Sequence, residues 1–265
     1  MEIVLSIAGS DPSAGAGIQQ DLKTITAMGC YGATVITALT SQNTMGVQDV
    51  MPVPSDVIGS QLKAILDDFN VKSIKIGQIP NMEAAAVIVK ALQKLNPKGR
   101  TETPIIYDPV MISTSGHRLM ASDCIQYIQK HLFPLCFLIT PNIPEAEQLL
   151  GHSLATPSDY QQAGQDLMQK YGTHILLKGG HAQGKMMTDY LFLTDSSVHE
   201  YQNEKIDSKN LHGTGCTLSS AIASALTLGC NIEESVSRAK QFVSDAIRGG
   251  KDLNIGQGNG PIWNF

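Results

Sequence analysis

The sequence predicts a three-layer α-β-α fold: a mostly parallel central sheet, helices on both faces, and a small antiparallel hairpin at one edge. Three observations carry that expectation. Short runs that are apolar on both faces recur at residues 3–8, 33–39, 73–76, 105–107, 136–139 and 174–177, the pattern of strands buried from both sides. Stretches with apolar residues at helical spacing lie between them, and β-α alternation of this kind closes into a parallel sheet with right-handed crossovers. Residues 189–193 and 198–202, separated by Thr194-Asp195-Ser196-Ser197, read as a hairpin.

Each helix shows an apolar stripe. Ile18, Leu22 and Ile25 share one face, and the pattern stops at Gly29. Val57, Leu62, Ile65 and Leu66 form a second stripe, and Ala85, Ile88, Val89 and Leu92 a third. Leu218, Ile222, Ala225 and Leu226 form a fourth, ending at Gly229. Residues 101–104 and 154–157 read as loops, and the Gly-rich tail 256–265 is expected to wrap over the surface. Neither a low-complexity linker nor a fixed-period repeat interrupts the chain, so residues 1–265 are expected to form one domain.

Composition narrows the function. The chain has 265 residues, 42% hydrophobic and 16% charged, which excludes intrinsic disorder. Nineteen Lys+Arg against 24 Asp+Glu give a net charge of -5, which argues against coating nucleic acid or a membrane surface. The start, Met1-Glu2-Ile3-Val4-Leu5, has an acid where a signal peptide needs a cationic region. No window approaches the roughly 18 apolar residues of a membrane span. A cytoplasmic protein is therefore expected. Five cysteines without a C-x-x-C pair fit reduced thiols better than disulfides or structural zinc.

The strand ends carry the functional argument. The first leads into Gly9-Ser10-Asp11-Pro12-Ser13-Ala14-Gly15-Ala16-Gly17, the second into Ser41-Gln42-Asn43 and the third into Gly77-Gln78. The fourth leads into Asp108-Pro109, the fifth into Thr140-Pro141-Asn142 and the sixth into Lys178-Gly179-Gly180-His181. Any one of these is ordinary turn chemistry. Six together on the carboxyl rim of a parallel sheet describe a ligand site.

Leu211-His212-Gly213-Thr214-Gly215-Cys216-Thr217 is the sharpest segment. Glycines opening a helix leave N–H groups and a positive dipole end facing outward, which suits phosphate. The Walker A spacing and an acidic ribose clamp are both missing. Cys216 falls in the first turn, where the dipole is expected to lower its pKa and favour the thiolate; the alternative is a small buried residue. Lys178 either caps carbonyls or reaches a phosphate as a point charge. Asp108 and Glu145, with the amide of Asn142 nearby, suit Mg²⁺; the alternatives are a turn residue and a first-turn helix acid. Gln42 can donate and accept at once, so it can pair with an aminopyrimidine edge, or simply cap a turn. His117, His181 and His212 are not spaced as metal ligands.

These blocks resemble, in order and nearly end to end, the hydroxymethylpyrimidine/phosphomethylpyrimidine kinases of thiamine biosynthesis. The resemblance rests on Asp11 through Thr24, Val35 through Thr44, Lys75-Ile76-Gly77 and Asp108-Pro109-Val110-Met111. It continues through Thr140-Pro141-Asn142-Ile143-Pro144-Glu145-Ala146, Leu177-Lys178-Gly179-Gly180-His181 and residues 212–219. It implies a ribokinase-like fold, ATP and Mg²⁺ as co-reactants, a homodimer, and two phosphorylations. The first is of the hydroxyl of 4-amino-5-hydroxymethyl-2-methylpyrimidine, the second of the resulting monophosphate. By the same resemblance, Gln42 pairs with the pyrimidine, and Asp21, Ala16 and Val110 line its pocket. Gly213, Thr214 and Gly215 form the anion hole, and Cys216 faces the hydroxymethyl group. Asp108, Asn142 and Glu145 hold metal and phosphate, and Lys178 contacts the nucleotide phosphates. One position departs from the family: Met follows Lys-x-Gly in its members, and Gln78 stands here. Either Gln78 adds a hydrogen bond to the ring or substrate choice has shifted. The rivals are a pyridoxal/pyridoxine kinase on the same fold and a non-catalytic pyrimidine-binding sensor.

Overall fold

The computed structural model describes residues 1–95, 102–111, 120, 122–179 and 186–264. Gly180, His181 and His117, named above, lie outside them, as does the last residue of the tail. Nine strands form one sheet among the described residues: β1 (Ile3–Ser10), β2 (Tyr31–Asn43), β3 (Gly46–Pro52), β4 (Val71–Ile76), β5 (Ile105–Tyr107), β6 (Leu138–Ile139), β7 (His174–Leu177), β8 (Met186–Phe192) and β9 (Val198–Glu204). Their spatial order is β3-β2-β1-β4-β5-β6-β7-β8-β9. The pairs from β2 to β7 are parallel, and β3, β8 and β9 join antiparallel. The expected hairpin is β8–β9. A second antiparallel strand, β3, edges the other side because β2 runs on past residue 39 and turns back at Thr44 and Met45.

Alternation along the strands shows both faces covered. Leu5 and Ile7, Ile105 and Tyr107, and Ile175 and Leu177 join one core with α2 (Ser55–Asp68), α3 (Met82–Leu95), α4 (Ser122–His131), α5 (Ile143–Leu150) and α6 (Pro157–Tyr171). Val4, Ile106, Leu138, Leu176 and Leu191 point the other way, onto α1 (Gly17–Ala27), α7 (Thr214–Thr227) and α8 (Ile232–Gly250). Fully burying one such side chain contributes about 1.5–3 kcal/mol, so this period-two alternation pins the strand registers. One apolar position is corrected: Val57 is 44% exposed, and its neighbour Ile58 faces the core with Leu62. The rest of the expected stripe holds, with Leu62 buried and Ile65 and Leu66 packed against the same core.

The connection after β1 crosses by α1 on one face to β2. The connection after β4 crosses by α3 on the other face to β5. The chain thus diverges between β1 and β4, the switch point where the carboxyl ends of a parallel sheet leave a crevice. The C-terminal tail does not merely wrap. It threads inward, with Asn259 N–H donating to Thr44 C=O, His212 N–H to Gly260 C=O and Trp263 N–H to Ala246 C=O.

Candidate active site

The loop after β1 is built around Asp11. Its carboxylate accepts from Ser13 N–H (2.9 Å) and Ser13 Oγ (2.7 Å) with one oxygen, and from Ala16 N–H (2.9 Å) with the other, which also lies 3.0 Å from His212 Nε2. Burial works against its charge, and the His212 and Ser13 hydrogen bonds outweigh that and hold the carboxyl below its ordinary range. Ala16 is the extended N-cap of α1, and Gly17 follows with φ +60°. A Cβ at Gly17 would meet the Gly9 carbonyl and lie 3.2 Å from Asp11 N. That close return lets Gly17 N–H reach the Cys216 thiol.

Gln42 stands on the extension of β2, and its carboxamide lies 3.1 Å from His212 Nε2. One residue on, Gly213 adopts φ +88° as the N-cap of α7, a backbone conformation that favours glycine. The first N–H groups of α7 have no intrahelical acceptor by geometry. Gln42 therefore lies against the residue that precedes this helix start, and Cys216 stands in the first turn.

The phosphate side lies across that helix tip. Lys178 Nζ donates to Asp108 Oδ1 at 2.7 Å, and Thr140 Oγ1 donates to the same oxygen at 3.1 Å. A Cβ at Gly215 would sit 3.2 Å from Asp108 Oδ2 and 3.7 Å from Lys178 Nζ. Burial works against the Lys178 charge, and Asp108 and Glu145 outweigh it, so the amine stays above its ordinary value. Asn142 and Glu145 form a reciprocal capping box at the start of α5, at 2.9 and 2.8 Å. Glu145 is thus a helix-start acid as well as a candidate ligand. Burial, with the Asp108 charge adding, pushes its carboxyl up to about 7 although Lys178 opposes. Val110 N–H donates to Asp108 C=O, which seats Val110, half-buried, beside that cluster.

Two expectations are corrected. Asp21 does not line an open pocket: it is wholly buried, and both its oxygens are taken. Lys75 Nζ donates to them at 2.9 and 2.8 Å, Ser220 Oγ at 2.9 Å and Ser6 Oγ at 2.6 Å. The residue facing Asp21 from β4 is Lys75, equally buried, whose charge reaches Cys216. Cys216 is not a lowered thiol: burial pushes it up to about 11, Lys75 opposes, and Asp21 and Asp108 add to the rise. Desolvation exceeds the helix-dipole effect here, so the resting group is a protonated thiol.

Gln78 lies beside Gly9 at the β1–β4 crevice and is 9% exposed. Its backbone carbonyl accepts from Thr37 Oγ1 at 2.7 Å, and its Nε2 has no hydrogen-bond partner. Sequence reasoning missed Asp11, Lys75 and His212 as site residues. The available signal for His212 was its place directly before the glycine that opens α7.

Over residues 11–263 the chain matches the family described as phosphomethylpyrimidine kinase. The chain belongs to that family. A hydroxymethylpyrimidine/phosphomethylpyrimidine kinase of Rhizobium meliloti is 41% identical, covering 99% of this chain and 97% of that relative. A phosphomethylpyrimidine kinase of Clostridium difficile, solved as a crystal structure, is 40% identical with a TM-score of 0.81, covering 93% of this chain and all of that one. The pyridoxal kinase of Bacillus subtilis, solved as an ADP complex, is 31% identical with a TM-score of 0.87, covering 100% and 97%. The chain is a kinase with a ribokinase-like fold, which sets the sensor reading aside. No described helix is long and apolar enough to cross a membrane.

Proposed function

We propose that this kinase phosphorylates the hydroxyl of 4-amino-5-hydroxymethyl-2-methylpyrimidine and then the resulting monophosphate, using ATP, in thiamine diphosphate biosynthesis. The observation that carries this reading is the shared helix start. Gln42 abuts His212, and three residues beyond His212, Gly215 backs onto Asp108 and Lys178. A heterocycle held by Gln42 then presents its hydroxymethyl group to the same helix tip that holds a phosphoryl group.

Phosphoryl transfer passes through a loose transition state, so positioning and charge neutralisation dominate. In this reading Gly213, Thr214 and Gly215 form the anion hole and, with Lys178, receive charge on the transferred group; preorganised donors of this kind are worth about 3–4 kcal/mol each. Cys216 orients the substrate hydroxyl as a neutral thiol. Ala16 and Val110 line the pyrimidine pocket, and the unpartnered Gln78 amide supplies a further donor to the ring.

Asp108 and Glu145 fit Mg²⁺. They are two buried carboxylates, one pushed up partly by the other's charge, with Asn142 adjacent, and Mg²⁺ takes few protein ligands. Bound there, the ion would neutralise phosphate charge. Residues 1–265 act as one kinase domain, cytoplasmic, consistent with five free cysteines. The enzyme is a homodimer; Leu39 and Met51, paired across β2–β3, and Met45 at their turn expose apolar side chains for such contact.

The test is a coupled ATP-consumption assay with the hydroxymethyl compound, its monophosphate and pyridoxal supplied separately. Turnover of the first two is expected. Turnover of pyridoxal alone would install the rival, which the Bacillus subtilis neighbour keeps in view.

A further inference from the structure

His212 Nε2 lies 3.0 Å from Asp11 Oδ2 and 3.1 Å from the Gln42 carboxamide, whose Nε2 is placed toward it. These two neighbours make opposite demands unless the carboxamide takes one particular orientation. Asp11 is a carboxylate that already collects three hydrogens from Ser13 and Ala16. It can only accept, so His212 Nε2 carries a hydrogen. A nitrogen carrying its hydrogen cannot also accept from the Gln42 NH₂ group, so the carboxamide oxygen faces His212. The structure places Oε1 toward Thr40 Oγ1 at 3.3 Å, and exchanging the two look-alike amide atoms puts the nitrogen there instead. Thr40 has one hydroxyl hydrogen, and it goes to Ser10 C=O at 3.0 Å, leaving a lone pair for the Gln42 amide. In this orientation the count closes at Thr40, and the single His212 Nε2 hydrogen is shared between the Asp11 and Gln42 oxygens. In the reverse one, Thr40 would need two hydrogens and His212 Nε2 would have to donate and accept at once.

The imidazole itself cannot turn away. Gly15 packs on its edge, where any Cβ would press on the ring. The backbone on either side is tied to the tail, His212 N–H to Gly260 C=O at 3.1 Å and Ile262 N–H to His212 C=O at 3.4 Å.

We propose that Asp11, His212 and Thr40 lock the Gln42 carboxamide in one orientation, making them positioning residues that select an amino-substituted over an oxo-substituted pyrimidine. This rests on the reading that Gln42 pairs with the ring. A locked carboxamide offers one acceptor and one donor in fixed order. A 4-aminopyrimidine answers with an exocyclic donor beside a ring acceptor. The 4-oxo analogue presents the reverse, a carbonyl beside a ring N–H, and meets donor with donor and acceptor with acceptor. A freely turning glutamine would pair with both compounds.

The experiment compares kcat/KM for the 4-amino substrate and its 4-oxo analogue, in the parent enzyme and in Thr40→Val, His212→Asn and Gln42→Ala, with folding checked by thermal melting. The parent is expected to prefer the amino compound by about 10²-fold or more, the size reached when a site built around hydrogen bonds meets the wrong pattern. Thr40→Val and His212→Asn are each expected to shrink that preference about tenfold, roughly 1.4 kcal/mol, mainly through KM for the amino compound. Equal use of both compounds by the parent overturns the lock. So does a preference that holds within about threefold in Thr40→Val and His212→Asn while Gln42→Ala abolishes it. A Gln42→Ala enzyme with unchanged KM for the amino compound overturns the pyrimidine pose itself. Thr40→Val is nearly isosteric, so the test survives if His212→Asn does not fold.

Discussion

Asp21→Asn separates two roles for that carboxylate, interior counter-ion or pocket wall. In the folded chain Lys75 and Asp21 are both wholly buried, and the ammonium donates to both carboxylate oxygens at 2.8 and 2.9 Å. Burial works against the Lys75 charge, but Asp21 outweighs it and the amine sits above its ordinary value. Replacing Asp21 by Asn leaves that ammonium facing a single neutral oxygen. Breaking one side of a buried pair costs about 3–5 kcal/mol. At roughly 2–4 °C per kcal/mol for a chain of about this size, the melting temperature should drop by about 6–20 °C. Lys75→Met should cost less. It leaves the carboxylate two hydroxyl donors, Ser6 and Ser220, whereas Asp21 is the acceptor of both Lys75 hydrogen bonds. The paired change Asp21→Leu with Lys75→Met should recover most of the loss, because a well-packed apolar pair often replaces a buried ion pair at little cost. Urea unfolding followed by circular dichroism, with the slope checked for constancy, measures all three. Asp21→Asn within about 1 kcal/mol of the parent, together with a tenfold rise in pyrimidine KM, would refute the interior role and return Asp21 to the pocket wall.

Three other outcomes follow from the same geometry. Cys216→Ala should lower kcat by about 10²-fold, the lower end for a proton-handling group, whereas Cys216→Ser, which still orients a hydroxyl, should stay within about tenfold of the parent; equal loss in both would favour a thiolate base. The raised thiol should react slowly with iodoacetamide at pH 7 and faster as pH climbs toward 11. Glu145 keeps its proton to about 7 when folded, against an ordinary value of 4.5. Between those values the folded chain binds more protons, so stability from this group is full below about 4.5 and is lost as pH rises through 7. Glu145→Gln keeps an acceptor for the capping box and should flatten the melting temperature between pH 5 and 8.5; an unchanged slope refutes the assignment. Gln78→Met removes a buried donor without a partner and should raise stability by about 1–3 kcal/mol while raising KM for the pyrimidine. Unchanged KM would leave Gln78 out of the substrate contacts.

The sheet was legible where physics is local. Strands β5 and β7 have the bounds expected from their apolar runs, because a strand buried on both faces needs nothing but its own residues to announce it. Strand β3 was not legible: it is half-exposed, edges the sheet and contains Gly46 and Pro52. Helices α6 and α8 left usable signals that periodicity alone passes over, Thr156 with Asp159 and Asn231 with Glu234. The glycine-fringed start of α7 and the Lys178 and Asp108 ends were readable because turn chemistry is short-range. The Asp21–Lys75 pair was not, since its partners lie 54 residues apart and meet only once β1, β4 and α1 are in register. The Cys216 thiol failed for a related reason. A helix dipole can be read from four residues, whereas desolvation is set by everything packed around them.

The glycines of the site explain why such distant loops can act together. Gly9, Gly15, Gly17, Gly213 and Gly215 lie where a neighbouring loop comes too near for a side chain to fit without displacing something. A Cβ at Gly213 would press on the Gly15 carbonyl and lie 3.2 Å from Gln20 Cγ, and one at Gly215 would crowd Asp108 Oδ2. The loops of the heterocycle side are thus fixed to each other by backbone meeting backbone at Gly17 and Gly213, and the phosphate side joins them where Gly215 lets the Asp108 and Lys178 side chains come close. That rigidity matters for in-line transfer, where a displacement of about 1 Å costs about 10²-fold in rate. It also localises specificity. With the frame fixed, the chemistry that tells one ring from another falls to the few side chains whose hydrogens face the crevice, Gln42 and Gln78. The orientation of Gln42 is in turn held from outside the crevice by Asp11, His212 and Thr40.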